Sequence, residues 1–100
     1  MIIHLDPDQY RLAETGAVSG ALYHGHQEHR PGDELVLRRV PGSASMLCKV
    51  VAVAHCTVET VPETMLPALG YGSMESFRED VERMHPGADE ITITCWRICG

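Results

Sequence analysis

The sequence contains no apolar run approaching the roughly eighteen residues a membrane-spanning helix needs, which excludes a transmembrane reading of these residues. It also lacks the C-x-x-C pairs of zinc sites. Its four cysteines, Cys48, Cys56, Cys95 and Cys99, are too few and too scattered for a disulfide framework. Aromatic residues are scarce: one Trp, one Phe and three Tyr. The core must therefore be mainly aliphatic. Basic residues are outnumbered eight to fourteen, for a net charge of −6, opposite in sign to proteins held on nucleic acid by phosphate neutralisation. The opening Met1–Asp6 lacks the basic region and long apolar stretch of a signal peptide. A cytoplasmic setting with reduced, structural thiols is expected.

What is present suits one domain over residues 1–100, with 44% hydrophobic residues. A chain of this size buries about 65% of its unfolded surface, which is adequate but thin. The charge is uneven. Residues 1–57 hold five basic and six acidic side chains, whereas 58–100 hold three and eight. Arg30, Arg38, Arg39 and Lys49 face only Asp33 and Glu34 in that stretch, so an anion-binding face is expected on the first half.

Ile2–Leu5 reads as a short strand. Asp6-Pro7-Asp8-Gln9 is a helix start: Asp6 caps, Pro7 suits the first helical position, and Gln9 returns a hydrogen bond to the cap. Gly16 ends that helix. Residues 16–33 are punctuated by glycine, with a short strand around Ala21–His24. Glu34–Val40 is a strand by β-branched content, and Pro41-Gly42-Ser43 supplies a turn. Met46–Val58 is a long strand that is apolar on both faces apart from Lys49 and His55. Pro62–Leu69 forms a helical turn, Ser73 caps a helix carrying Met74, Phe77, Val81 and Met84 at helical spacing, and Ile91–Ile98 is a closing strand. The order is that of a small α+β protein with a curved sheet or partly closed barrel.

Arg30-Pro31-Gly32-Asp33-Glu34-Leu35-Val36-Leu37 resembles the Gly-Asp turn entering a barrel strand in ASCH domains, members of the PUA-like superfamily. Leu69-Gly70-Tyr71-Gly72-Ser73-Met74-Glu75-Ser76-Phe77-Arg78, then His85-Pro86-Gly87 and a closing strand, is similar to the same family's C-terminal half. The resemblance spans essentially the whole chain. It implies a PUA-like β-barrel of five or six strands with two or three helices, a cleft between barrel and helices, and an association with RNA or modified nucleosides. One branch of small bacterial members hydrolyses the acetyl group of N4-acetylcytidine, using a Gly-(Lys/Arg)-Lys-Thr-x-Thr-x-Arg segment after the first helix. The corresponding residues here are Gly16–Tyr23: the lysine position is Ala17 or Val18, the threonines offer only Ser19, and the closing arginine is Tyr23. The family carboxylate falls near Gly70, with Glu63 and Glu75 the nearest acids.

Amide hydrolysis without a metal needs a nucleophile, a base and an oxyanion stabiliser. An apolar residue in place of the lysine cannot take a proton, so the chain is expected to be catalytically degenerate. The ligand-contacting residues expected are Ser19, Tyr23, His24, Arg30 and Arg39: polar contacts, with Tyr23 able to stack on a base and Arg39 sharing the inward parity of Leu35 and Leu37. The ligand class is a nucleoside, a nucleotide or short single-stranded RNA. His24 and His26 would project from one side of a strand, with Glu28 or His29 across a turn. Such a set can hold a transition metal, or phosphate when protonated, or simply be solvated. No distant ligand pair accompanies it, and neither metal nor cofactor is expected. Cys48 and Cys56 share parity with Ala52 and Ala54, as small core residues would. Glu75, Glu79, Asp80 and Glu82 give the last helix an acidic face, a solvated surface or a dock for a basic protein. A nucleoside amidohydrolase with a rewired site and a protein-interaction module are the alternative functions.

Overall fold

Elements form where the local chemistry permits, and the computed structural model describes residues 1–87 and 89–99. The order is β1 (Ile2–Leu5), α1 (Pro7–Glu14), β2 (Gly20–His24), β3 (Glu34–Arg39), β4 (Ser45–Cys56), a 3-10 turn at Glu63–Met65, α2 (Leu66–Leu69), α3 (Met74–Met84) and β5 (Ile91–Ile98). The capping box at α1 is complete: Asp6 Oδ1 accepts from the Gln9 amide at 2.8 Å, and Gln9 Oε1 accepts from the Asp6 amide at 3.1 Å. The Ser73 hydroxyl caps α3 by accepting from the Ser76 amide.

The five strands form one sheet in the order β1-β3-β4-β5-β2. β1 lies parallel to β3, and the other neighbours are antiparallel. Register assigns side chains to two faces. Ile3 and Leu5 of β1, Ala21 of β2, Leu35 and Leu37 of β3, Cys48, Val50 and Val53 of β4, and Trp96 of β5 share one apolar cluster with Ala13 of α1. Because every strand contributes to it, this face is the inside of a curled half-barrel, closed by α1. The opposite face of β5, with Ile91, Ile93 and Cys95, packs on Leu66, Phe77 and Val81 beneath α2 and α3. β5 is thus buried on both sides over Ile91–Trp96. The fold is the α+β half-barrel with three helices that the sequence predicts.

One feature reverses an expectation. β4 slips by one residue against β5, between Val50, opposite Trp96, and Ala52, opposite Cys95. Val51 is the extra residue of this β-bulge and is 48% exposed. Past the slip, Val53 and His55 point inward while Ala52, Ala54 and Cys56 point outward. Cys48 and Cys56 therefore lie on opposite faces despite their common parity. Burial raises both thiols above the usual cysteine range, as it does Cys95.

Among the described residues no helix is long and apolar enough to cross a membrane.

Candidate functional site

The gap between the two sheet edges, β1 and β2, is where layers fail to seal. α1 sits in that gap, and a cleft of about 360 Å³ runs along the edge of β2 between α1 and the ends of α2 and α3. Leu5, Ala13, Ala21 and Trp96 supply its inner wall; Leu22, Leu69, Tyr71, Met84 and His85 supply the outer one, and Gln9 and Leu12 the α1 side. Leu12 is 44% exposed and Met84 53% exposed, so two large apolar side chains flank the opening of the cleft. Trp96 itself is only 4% exposed, and its indole Nε1 is buried without a hydrogen-bond partner among the described residues. No Lys, Arg, Asp, Glu, Ser or Cys among the described residues lines the cleft.

The resemblance points to Ser19 and to the position of Gly70. Ser19 is half-buried beside the cleft, its amide donating to the Ala68 carbonyl at 2.8 Å and its carbonyl accepting from the Trp96 amide at 2.9 Å. Gly70 has φ +88°, and a Cβ added there would meet Val18 Cγ2 at 3.2 Å. A carboxylate side chain at that point is strained in backbone and crowded in space. Neither Glu63 nor Glu75 reaches the cleft.

The five residues expected to gather round a ligand do not form one cluster. Ser19 flanks the cleft. Tyr23 faces the inside of the curl, opposite Thr92, where its ring meets the His29 ring edge-on at 5.0 Å and its buried hydroxyl has no partner among the described residues. Burial holds its pKa above the usual tyrosine value. His24, the next residue, points to the other face, 5.6 Å from the His85 ring. Arg30 is exposed, its backbone amide donating to Asp33 Oδ2 at 3.0 Å. Arg39 has the predicted parity, yet it ends its strand exposed, with its guanidinium over the turn at Gly42. The cations of the first half, Arg38 and Lys49, share the uncovered outer sheet face with Arg97, well away from the cleft.

The histidines part company as well. β2 ends at His24, and Gly25 (φ +87°) turns the chain, so His26 lands on the inner side, stacked on His55 at 4.2 Å. His24 and His26 do not share a side, because the strand that would have aligned them stops between them. Among the described residues no group of three His, Cys, Asp or Glu side chains is arranged to hold a metal ion.

Residues the sequence did not single out for the cleft are Gln9, Tyr71 and His85, its polar lining. Gln9 lies on α1, Tyr71 between α2 and α3, and His85 just past α3, and only the fold brings them together. Tyr71 is raised above its usual pKa by burial and by its hydrogen bond to Asp80.

A curled five-stranded sheet with one parallel edge pair, a helix closing the gap and a cleft beside it is the PUA-like α+β fold of ASCH domains. Among solved structures the chain is similar to an ASCH domain from Lactobacillus crispatus JV V101, with a TM-score of 0.67 and 14% identity over 97% of this chain and 77% of that one. It is likewise similar to an ASCH protein from Zymomonas mobilis, with a TM-score of 0.70 and 14% identity over 96% of this chain and 65% of that one. A protein from Enterococcus faecalis V583 superposes with a TM-score of 0.63 and 13% identity, over 88% of this chain and 67% of that one. At these identities the likeness is one of fold. No family model matches the sequence, and no curated protein matches it.

Proposed function

We propose that the chain is a non-catalytic binding domain whose cleft takes a nucleoside, or the terminal nucleotide of a short single-stranded RNA, base inward. The observation that carries this reading is the composition of the cleft wall. Aliphatic side chains and Trp96 provide an apolar slot, and Gln9, Tyr71 and His85 provide a few polar contacts. That combination is typical of small-ligand pockets, and about 360 Å³ is near their lower size limit. One base and sugar suit it better than a run of bases.

The absence of lining cations among the described residues favours a neutral ligand end over a phosphate. The net charge of −6 points the same way, away from charge-driven binding of long RNA. The absence of a lining Ser, Cys, carboxylate or lysine among the described residues supports degeneracy over amide hydrolysis.

Trp96 is the sole tryptophan and borders the cleft, so its fluorescence should report binding directly. Titration with cytidine, uridine, adenosine and guanosine should give saturable quenching for at least one of them. Ala21→Leu, which fills the inner wall, should weaken that binding tenfold or more. The reading fails if no nucleoside binds at millimolar concentration, or if the protein releases acetate from N4-acetylcytidine.

A second reading rests on α3, where Glu75, Glu79 and Glu82 are exposed and form no ion pair among the described residues. That face suits a basic protein partner. Reversing Glu79 and Glu82 to Lys should abolish such an association and leave nucleoside binding unchanged.

A further inference from the structure

The chain between β2 and β3 crosses the end of the curled sheet remote from the cleft, and it is fastened at two places of different chemistry. The β3-proximal part is fastened to β4 by backbone bonds: Gly32 N–H donates to the Val50 carbonyl at 2.8 Å, and Val50 N–H to the Asp33 carbonyl at 2.9 Å. The β2-proximal part, residues 25–29, starts from the Gly25 N–H, which donates to the Glu90 carbonyl at 2.7 Å, and beyond that hangs on two buried hydroxyls of β5. Thr92 and Thr94 are both 0% exposed. Thr92 Oγ1 donates its only proton to the Gly25 carbonyl at 2.8 Å and accepts from the Gln27 amide at 3.1 Å. With that proton committed, His55 Nδ1, 3.3 Å away, must be the donor in their contact. His29 Nδ1 lies 2.8 Å from Thr94 Oγ1.

Three imidazoles thus meet over one end of the half-barrel. The His26 ring stacks on His55 at 4.2 Å and 19°, and His29 stands edge-on to Tyr23. We propose that residues 25–29 are an acid-released strap: closed while His29, His26 and His55 are neutral, and let go when they take up protons.

The groups facing these rings have opposing effects. His26 sits between two carboxylates, Glu90 Oε1 at 3.6 Å from Nδ1 and Glu28 Oε1 at 3.7 Å from Nε2. A charge on His26 then repels one on His55, its stacking partner. His29 is the most enclosed of the three. Burial holds its pKa below the ordinary histidine value; Asp33 opposes that, while His55 and the terminal amino group of Met1 add to it. Tyr23 offers no charge, since it stays protonated. His24 is turned to the other face, towards His85.

The sign follows from linkage. A histidine with a lowered pKa in the closed state binds its proton more readily once the strap is open. Closure is therefore fully favoured above about pH 6.5, the ordinary histidine pKa, and weakens as pH falls through the lower value of the closed state. Release uncovers the inner face at Tyr23, whose hydroxyl is sealed there without a partner among the described residues.

Hydrogen exchange read residue by residue tests the strap. Between pH 7.5 and 5.0, after correction for intrinsic rates, protection at the Gly25 and Gln27 amides should fall by about tenfold for each unit by which the closed state depresses the histidine pKa. Protection at Gly32 and Val50 should hold. His29→Gln keeps a hydrogen-bonding group for Thr94 but cannot be protonated, and should flatten most of the response. Should that variant fail to fold, NMR titration of the His29 ring in the wild-type chain decides the matter. A pKa at or above the ordinary value, or protection at Gly25 and Gln27 that ignores pH, would overturn the proposal.

Discussion

Replacing Thr92 by Val removes one hydroxyl and leaves the shape of the side chain nearly unchanged, so the loss it causes is almost purely one of hydrogen bonding. The hydroxyl is fully buried and makes three contacts: to the Gly25 carbonyl, the Gln27 amide and His55 Nδ1, at 2.8, 3.1 and 3.3 Å. A hydrogen bond contributes about 1 kcal/mol net, and a buried partner left unsatisfied costs about 1–3 kcal/mol. Gly25 and Gln27 are half-buried and His55 is exposed, so water replaces part of what they lose. The expected destabilisation is about 2–3 kcal/mol, a drop of roughly 10–20 °C in Tm for a domain of this size. Urea unfolding followed by Trp96 fluorescence and by circular dichroism measures it, with coincident curves as the check on two-state behaviour. Thr92→Ser, which keeps the hydroxyl and loses only a methyl, should cost about 1 kcal/mol. If Thr92→Val stays within about 0.5 kcal/mol of wild type, the hydroxyl is not a fastening point, and the reasoning about the strap loses its anchor.

Tyr23→Phe should behave oppositely, matching or exceeding wild-type stability by about 1 kcal/mol, because it deletes a buried hydroxyl that bonds to nothing described. It should also blunt the alkaline loss: burial raises the Tyr23 pKa, so wild-type stability is intact below about pH 10 and declines as the unfolded chain ionises above it. Urea curves at pH 9 and pH 11 compare the two proteins. Gly20→Ala should cost about 1–3 kcal/mol, since the new Cβ meets the Thr94 carbonyl oxygen at 3.2 Å and Leu69 Cδ2 at 3.3 Å; a thermal melt reads it. Deleting Val51 should keep the fold and its cooperative unfolding, because residues 52–56 would then follow Val50 in unbroken register and keep their present faces; urea curves check it.

Where the chain announces its own geometry, sequence reasoning located the element to within a residue or two. Asp6, Pro7 and Gln9 mark the start of α1, Ser73 the start of α3, and alternation marks Ile91–Ile98. The bulge at Val51 had no such mark. Met46–Val58 is apolar on both faces, so a one-residue slip leaves the pattern of apolar and polar residues unaltered and register alone reveals it. The cleft was illegible for another reason. Gln9, Tyr71, His85 and Trp96 lie far apart in the chain and meet only after β2 and β5 pair and α1 fills the gap between β1 and β2. The histidines were visible as a composition but not as an arrangement, since the partners of His26 and His29 come from β4 and β5.

The two faces of the sheet also give each hydrophobic layer a buried thiol of its own. Cys48, 0% exposed, belongs to the layer under α1, and Cys95, 8% exposed, to the layer under α2 and α3. Both are held protonated by burial, so neither reacts until its layer opens. The rate at which a thiol reagent modifies each cysteine under native conditions is therefore a clock for the opening of that layer alone. Equal rates mean that the half-barrel and its helical cover come apart as one cooperative unit, and unequal rates say which of them goes first.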